Sequence, residues 1–326
     1  PALKPGSAGY RSGVGTVLFN MAVNPVNGKI YVTNTEARNE VRFEGPGGLG
    51  STVRGHFAES RITVINDDRV EPRHLNKHID YSKCCEDNPA EKAAALAQPM
   101  EMAISSDGQK LYVAAYGSNK VGILDTAKLE DDSFTPNAND HVSVSGGGPS
   151  GVVLDEVRNQ LYVLTRFDDG ISVIDTKAKT EVAHINMHNP EPQHVKEGRK
   201  YHYDANLTSS HGDSSCALCH VFGGMDQLAW DLGSPSGGVT LNPSSPDCAS
   251  DPVAVDPDNV FDPTCPSDLA INHKQFSLPA NPHFAPVKGP MSTQSLRGLA
   301  NHGAMHWRGD KTNGDFPGAN DQPDTG

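Results

Sequence analysis

Two thiols and an imidazole stand together in the middle of the chain, in Cys216-Ala217-Leu218-Cys219-His220. Cys-x-x-Cys-His is the attachment pattern of c-type haem, in which the two thiols add to the vinyl groups of the ring. The tether then presents His220 to the iron as its proximal ligand. A structural zinc site is the alternative, but zinc needs four ligands, usually with a second Cys or His pair at short spacing. The motif therefore predicts one haem c held by these three side chains.

The remaining four cysteines form two pairs, Cys84 with Cys85 and Cys248 with Cys265. Pairs of this kind predict disulfides in an oxidising compartment, although free thiols remain an alternative for the vicinal pair. Haem attachment and disulfides together predict a periplasmic or extracellular protein. The segment between Cys248 and Cys265 is rich in carboxylates, which suit a calcium ion but lack the EF-hand spacing. An acidic loop without a metal is the alternative there.

Charge and hydropathy exclude other classes of function. The 326 residues include 27 Lys and Arg against 40 Asp and Glu, a formal charge of −13. Nucleic acids and acidic membrane surfaces need a positive patch, so neither is an expected partner. No run approaches the ~18 apolar residues of a membrane-spanning helix. Because the chain opens on Pro1 without a Met and stops shortly after Asp310, we expect it to be part of a longer protein.

The first half contains a repeat centred on a tyrosine. Three segments align, and each is followed by a second short apolar run; the segments are Ala22–Asn34, Ala103–Ala115 and Val153–Thr165. Short β-branched runs between Gly, Asn and Asp turns predict strands. A period of ~40–50 residues with about four strands is typical of a propeller blade. A β-sandwich is the alternative. The repeat predicts that Tyr31, Tyr112 and Tyr162 lie at equivalent positions.

Tyr31-Val32-Thr33-Asn34 resembles the naming motif of the YVTN family of β-propellers, over roughly residues 15–187. The resemblance implies radially repeated blades. Closed propellers have typically four to eight blades, so three imply missing or degenerate blades, or an oligomer or assembly partner that completes the ring. Asn88-Pro89-Ala90-Glu91 predicts a short helix capped by Asn88 inside an insertion. The first repeat carries a further insertion that contains a glycine-rich loop.

The second half resembles the first haem domain of bacterial di-haem cytochrome c peroxidases, over about residues 194–311. Several blocks match in order: Gly198-Arg199, Tyr203-Asp204, Lys288-Gly-Pro290, Thr293–Leu299 and His306–Asp310. The fold class is thus mixed, with a partial β-propeller over 1–190 and a mainly α or irregular c-type cytochrome domain over 191–326. The resemblance also implies a second haem in a longer chain or a partner, because this sequence contains no second attachment motif.

The resemblance implies further site residues. The family has a distal histidine four residues before the Lys of Lys-Gly-Pro; Phe284 occupies that position here, so His283 beside it becomes the best distal candidate. The other candidates for the sixth iron ligand are His202, His211, Met225, His273, Met291, His302, Met305 and His306. Trp307 matches the tryptophan that passes electrons between the two haems. Arg297 and Arg308 are candidates for binding the haem propionates, since Arg forms forked bonds to carboxylates.

Two functions follow from these patterns. The first is a secreted electron-transfer protein, part of a peroxidase-like oxidoreductase, whose partner is a small cytochrome, a cupredoxin or a further haem domain. The second is a binding or assembly propeller in which the haem serves as a relay. Peroxide reduction takes two electrons and one haem iron cycling between ferric and ferrous stores one. We therefore expect this chain alone to be a poor peroxidase.

Overall fold

The computed structural model describes residues 16–38, 56–67, 69–81, 88–230 and 291–298. Three four-stranded antiparallel sheets form most of it, each with its strands in sequence order. Sheet 1 consists of β1 (Val17–Val23), β2 (Ile30–Ala37), β3 (Ala58–Asn66) and β4 (Arg69–His74). Sheet 2 consists of β5 (Pro99–Ile104), β6 (Lys110–Ala115), β7 (Lys120–Asp125) and β8 (His141–Ser143). Sheet 3 consists of β9 (Pro149–Asp155), β10 (Gln160–Thr165), β11 (Gly170–Asp175) and β12 (Thr180–Asn186).

Strand register confirms that the three tyrosines are equivalent. Each lies on the second strand of its sheet and pairs with the residue nine positions earlier on the first strand: Ala22 with Tyr31, Ala103 with Tyr112 and Val153 with Tyr162. The first strand of sheet 2, β5, packs beside β1 on one side and β9 on the other. The sheets are therefore consecutive blades of a partial β-propeller, as the repeat predicts.

Alternation of side chains along the strands explains how the sheets stack. Successive residues of a strand point to opposite faces. On β6, Leu111 and Val113 pack into a core shared with sheet 1, whereas Tyr112 and Ala114 pack into a core shared with sheet 3. Both faces of the middle sheet are thus buried, which is why its strands read as nearly continuous apolar runs rather than as alternating ones.

The polar members of the Tyr31–Asn34 motif join sheet 1 to sheet 2. The Tyr31 hydroxyl donates to Glu130 Oε1 at 2.5 Å, and the Thr33 hydroxyl donates to the Met100 carbonyl at 2.7 Å. Glu130 closes the short helix α2 (Thr126–Glu130), which follows β7. A buried hydroxyl needs a partner, and here that partner belongs to the next blade. The motif therefore acts as an interblade contact.

Helices lie outside the sheets. Helix α1 (Pro89–Ala94) begins where predicted, because the Asn88 side chain accepts from the Glu91 amide at 3.2 Å. Beyond sheet 3 come α3 (Gln193–Tyr203) and α4 (Ala205–Thr208), followed by two 3₁₀ turns, Cys216–Leu218 and Val221–Gly223. A short pair, β13 (Ala229–Trp230) with β14 (Met291–Ser292), ends the described chain. No helix among these residues combines the length and the apolarity needed to span a bilayer.

Candidate functional site

The segment that carries Cys216 and His220 lies across one end of the blades. Polar contacts join it to the loops between the second and third strands. In the β6–β7 loop of sheet 2, Asn119 donates from Nδ2 to Asp204 Oδ2 at 2.8 Å. In the β10–β11 loop of sheet 3, Asp169 pairs with Arg199 of α3 at 3.1 Å. Because both loops lie at the same end of their sheets, α3 and α4 dock on the propeller rather than beside it.

An aromatic cluster strengthens this docking. Each sheet contributes one ring, Phe19, Tyr116 or Phe167, and the docked segment contributes Tyr203 and Phe222. Tyr116 meets Tyr203 edge to face with ring centroids 5.0 Å apart, and Phe19 meets Phe222 in the same way at 6.5 Å. Edge-to-face pairs at these separations are favourable beyond their buried area. The cluster fixes the segment against all three blades.

Phe222 occupies its place in that cluster with a strained backbone conformation. Its φ is 50°, in the left-handed region that non-glycine residues seldom adopt. Such strain persists only where surrounding contacts hold it. Here the contacts are the rings of Phe19 and Tyr116. The turn that follows His220 is therefore shaped by the propeller beneath it.

The two motif cysteines are free thiols rather than a disulfide. Cys216 is exposed, and the 3₁₀ turn that it opens brings the His220 amide to its carbonyl at 2.9 Å. Burial and the nearby Asp226 carboxylate raise the pKa of the Cys219 thiol to about 12. The Cys219 sulfur is thus held in the thiol form, and a thioether at this position leaves no charge to bury.

The His220 ring is oriented by a backbone carbonyl far away in sequence. Its Nδ1 donates to the Gln294 carbonyl oxygen at 2.6 Å. That bond places the ring proton on Nδ1 and leaves the lone pair of Nε2 for a ligand. Metal-ligating histidines almost always donate their other ring N–H in this way. The donor set and its orientation therefore fit a haem iron bound at Nε2.

The 291–298 segment is held against the motif by further contacts. The Leu296 amide donates to the Gly223 carbonyl at 2.9 Å, and β14 pairs with β13. Arg297 is exposed, and its Nη2 donates to the Phe222 carbonyl at 3.3 Å. Arg297 thus lies beside the motif.

The other predicted haem-site residues divide into two groups. His202 Nε2 donates to the His220 carbonyl at 3.0 Å, and His211 Nδ1 contacts Glu91. His202 is thereby engaged beside the motif, and His211 takes part in a different cluster. His283, Trp307 and Arg308 lie outside the described residues. So do the four remaining cysteines and the acidic segment between Cys248 and Cys265.

A cavity of about 540 Å³ adjoins the docked segment. Tyr116, Tyr203 and Phe222 line it, together with Arg166 and Arg199. Aromatic walls with a few placed charges are typical of sites for flat, largely apolar ligands. Arg199 is already paired with Asp169 and Glu191, so its guanidinium is held rigidly at this cavity.

A second polar cluster lies on the outer face of sheet 1, the face turned away from sheet 2. It consists of His56, Glu59 and His74, whose ligand atoms all lie within 4.8 Å of one another. Burial lowers the pKa of His74 to about 4 and also lowers the pKa of His56. Both imidazoles are therefore neutral at physiological pH. Tyr81 stacks on His56 with ring centroids 3.6 Å apart.

Sequence reasoning missed two parts of these sites. The Gln294 carbonyl is a backbone group 74 positions from His220, and no residue type marks it. His74 meets the other cluster residues only because β4 pairs with β3 in a register that sets it opposite Arg61. The sole sequence signal was the spacing His56-x-x-Glu59, which is uninformative without that register.

Comparisons with known proteins assign this chain to no family. No family model matches the chain, and no curated protein matches it. A structure of Kuenenia stuttgartiensis hydrazine synthase is similar with 20% identity and a TM-score of 0.35, covering 48% of this chain and 45% of that one. A structure of a nidogen/laminin complex is similar with 15% identity and a TM-score of 0.32, covering 52% of this chain and 47% of that one. The periplasmic gluconolactonase of Pseudomonas aeruginosa is similar with 13% identity and a TM-score of 0.32, covering 53% of this chain and 43% of that one. This chain thus spans less than half of each, and TM-scores this low carry no argument about function.

Proposed function

We propose that this chain is a propeller-based scaffold that holds a covalently attached haem c at one end of its blades as an electron relay. The observation that supports it best is the 2.6 Å hydrogen bond from His220 Nδ1 to the Gln294 carbonyl. An isolated surface histidine has no need of a fixed tautomer, whereas an iron ligand does. When bound, the haem would supply reversible one-electron chemistry at its iron.

The chain's own residues would divide the remaining work. Cys216 and Cys219 would anchor the ring, and His220 would ligate the iron. Phe19, Tyr116 and Phe222 would hold the motif on the blades and keep water from its inner side. Arg297, exposed beside the motif, would pair with a propionate. Cys216 is exposed, which would suit the approach of a small redox protein in the periplasm or outside the cell.

Peroxide reduction as in the di-haem peroxidases is the second candidate. The segment 291–298, which includes most of the Thr293–Leu299 block of that resemblance, packs directly on the haem motif. Such a reaction would need the second haem, the Trp307 route and a distal ligand, His283, that can leave the iron. Slow peroxide turnover by residues 1–326 is therefore the expected result.

The test is covalent attachment in a host that assembles c-type cytochromes. Wild-type protein should retain haem after denaturation and extraction with acidified acetone, with a pyridine haemochrome spectrum typical of two thioether bonds. Cys216→Ala with Cys219→Ala should abolish attachment, because both tethers are removed. His220→Gly should keep covalent haem but lose the proximal ligand, visible as a change in the Soret band.

His202→Gln is the matched control, because His202 contacts the motif through the His220 carbonyl without being a thiol or the assigned ligand. It should keep covalent haem with the wild-type proximal signature. Haem that stays bound in the double cysteine variant after denaturation would overturn the proposal. So would a wild-type protein that emerges without haem while a known cytochrome c matures in the same host.

A further inference from the structure

We propose that His56, Glu59 and His74 form a binding site for a divalent first-row transition metal ion, separate from the haem site. Two imidazoles and one carboxylate are a recurrent ligand set for such ions, with the remaining coordination positions open to water or a substrate. Strand pairing in sheet 1 brings them together, because Glu59 and the partner of His74, Arg61, share one face of β3. His56 lies just before that strand.

The separation of two of the three ligand atoms suits a six-coordinate ion. His56 Nε2 and Glu59 Oε1 are 2.9 Å apart. Neighbouring ligands about 2.1 Å from an octahedral ion are about 3.0 Å from each other. The pair is therefore spaced as two adjacent ligands, and His74 completes a triangle whose atoms lie within 4.8 Å.

An unpartnered nitrogen points to a missing ligand. His74 Nε2 is buried and has no hydrogen-bond partner among the described residues. A buried polar atom without a partner is uncommon in native structures and calls for an ion or an ordered water. The ring stacks near His56, with centroids 5.9 Å apart, so both imidazoles line the same space.

Charges around the cluster favour a cation overall. Among the described residues, the carboxylates near the cluster are Glu36, Glu59 and Asp213, and the guanidinium groups are Arg38 and Arg61. Arg61 is paired with both Glu36 and Glu59, so this group carries one net negative charge. The charges of Asp213 and Arg38 offset each other. Among the described residues, the carboxylates around the cluster thus outnumber the guanidinium groups, which favours a divalent cation.

Arg38 is the element that must move. Its Nη1 contacts His56 Nδ1. Coordination through Nε2 puts the ring proton on Nδ1, so the guanidinium has to turn away from the ring when the metal binds. Arg38 and the metal thus compete for the His56 ring. Arg38→Met should therefore bind metal more tightly than wild type, by about 10-fold, the size of effect that outer-sphere partners have on metal affinity.

The test uses the full chain, both haem-loaded and as the Cys216→Ala, Cys219→Ala variant, titrated with Co²⁺ and Zn²⁺ alone. One ion should bind in both forms, so the result does not depend on the proposed haem. His74→Gln and Glu59→Gln should each weaken binding by at least about 100-fold, since outer partners alone already cost 10–100-fold. His184→Gln is the matched control, because His184 lies on sheet 3 between Ser172 and Asp168, and it should bind like wild type.

A measurement on unsubstituted protein covers the case in which a variant fails to fold. X-ray absorption at the zinc edge should show nitrogen and oxygen neighbours with imidazole scattering and no sulfur. A sulfur shell, or a sulfur-to-cobalt charge-transfer band, would place the ion on cysteines and overturn the proposal. Unchanged affinity in folded His74→Gln and Glu59→Gln would do the same. Absence of binding to wild type would also overturn the proposal and leave water as the occupant of the cluster.

Discussion

Tyr31, Tyr112 and Tyr162 occupy equivalent positions, but their hydroxyl groups meet different partners. Tyr31 reaches α2 of sheet 2, and Tyr112 bonds with Thr176, which follows the third strand of sheet 3. Tyr162 turns instead to Gln160 on its own strand, at 2.8 Å. Tyr31 and Tyr112 thus contact the next blade, whereas no fourth blade lies beside Tyr162 among the described residues. The contact is a property of the interface, not of the strand that carries the tyrosine.

Removing one hydroxyl tests this interpretation. Tyr31→Phe leaves the ring packed but breaks the bond to Glu130, so the free energy of unfolding should fall by about 1–2 kcal/mol. Tyr162→Phe is the matched control and should change it by less than about 0.5 kcal/mol, because its bond lies within one half-exposed strand. Urea denaturation measures both. Equal losses in the two variants would contradict an interblade role.

Individual residues differ in how well the sequence alone predicts their positions and contacts. Positions of the tyrosines followed from turn spacing and strand period, because both are local. The Asn88 cap was predictable for the same reason. The companion Glu91 was not: instead of reaching back to its own helix, its carboxylate contacts His211 and accepts from the Asp80 amide at 3.4 Å. The Gln294 carbonyl and the His74 ring depend on long-range pairing, which no local pattern encodes.

Among the elements, helix α1 shows how an insertion is attached to a blade. Its last carbonyl groups have no partners within the helix. Lys120 on β7 donates from Nζ to the carbonyls of Lys92 and Ala93 at 2.7 and 2.9 Å. His141 on β8 approaches the Ala93 carbonyl at 3.3 Å. Two neighbouring strands thus cap one helix end, and the capping groups are titratable.

Their titration predicts how stability depends on pH. Burial and the Lys120 ammonium lower the pKa of His141 from 6.5 to about 4. The unfolded chain therefore holds about one more proton at this residue between those values, and stability falls as the pH is lowered from 6.5 to 4. His141→Gln should reduce that loss by this proton's share. Urea unfolding at a series of pH values measures it, and an unchanged slope in the variant would contradict the assignment.

Lys120 should act at the opposite end of the pH range. Burial lowers its pKa from 10.5 to about 8, so the unfolded chain again binds more protons between these values. The sign is the same: stability should rise as the pH increases from 8 to 10.5. Lys120→Met should flatten this rise by about one proton's worth of slope. A rise that persists in Lys120→Met would locate its cause in another group.

At the scale of the whole molecule, the outer sheets have unequal faces. The face of sheet 3 turned away from sheet 2 carries Val153, Leu164 and Ile185, which are exposed by 65%, 36% and 54%. The outer face of sheet 1 carries Met21 and Val23, exposed by 65% and 56%. The middle sheet shows that both faces of a blade are built for burial. The two outer faces are thus the surfaces across which further blades would pack.

We predict that a second copy of the chain packs against these faces. Three blades from each copy make a ring of about six, within the usual range of four to eight, and sheet 3 of one copy would meet sheet 1 of the other. We therefore expect residues 1–326 to dimerise in sedimentation velocity experiments. Leu164→Glu with Ile185→Glu should shift the protein to monomer, because each charge would be buried in the interface. Val157→Glu, in the exposed β9–β10 turn, is the control and should remain dimeric. A wild-type protein that stays monomeric as its concentration rises would contradict the two-copy ring.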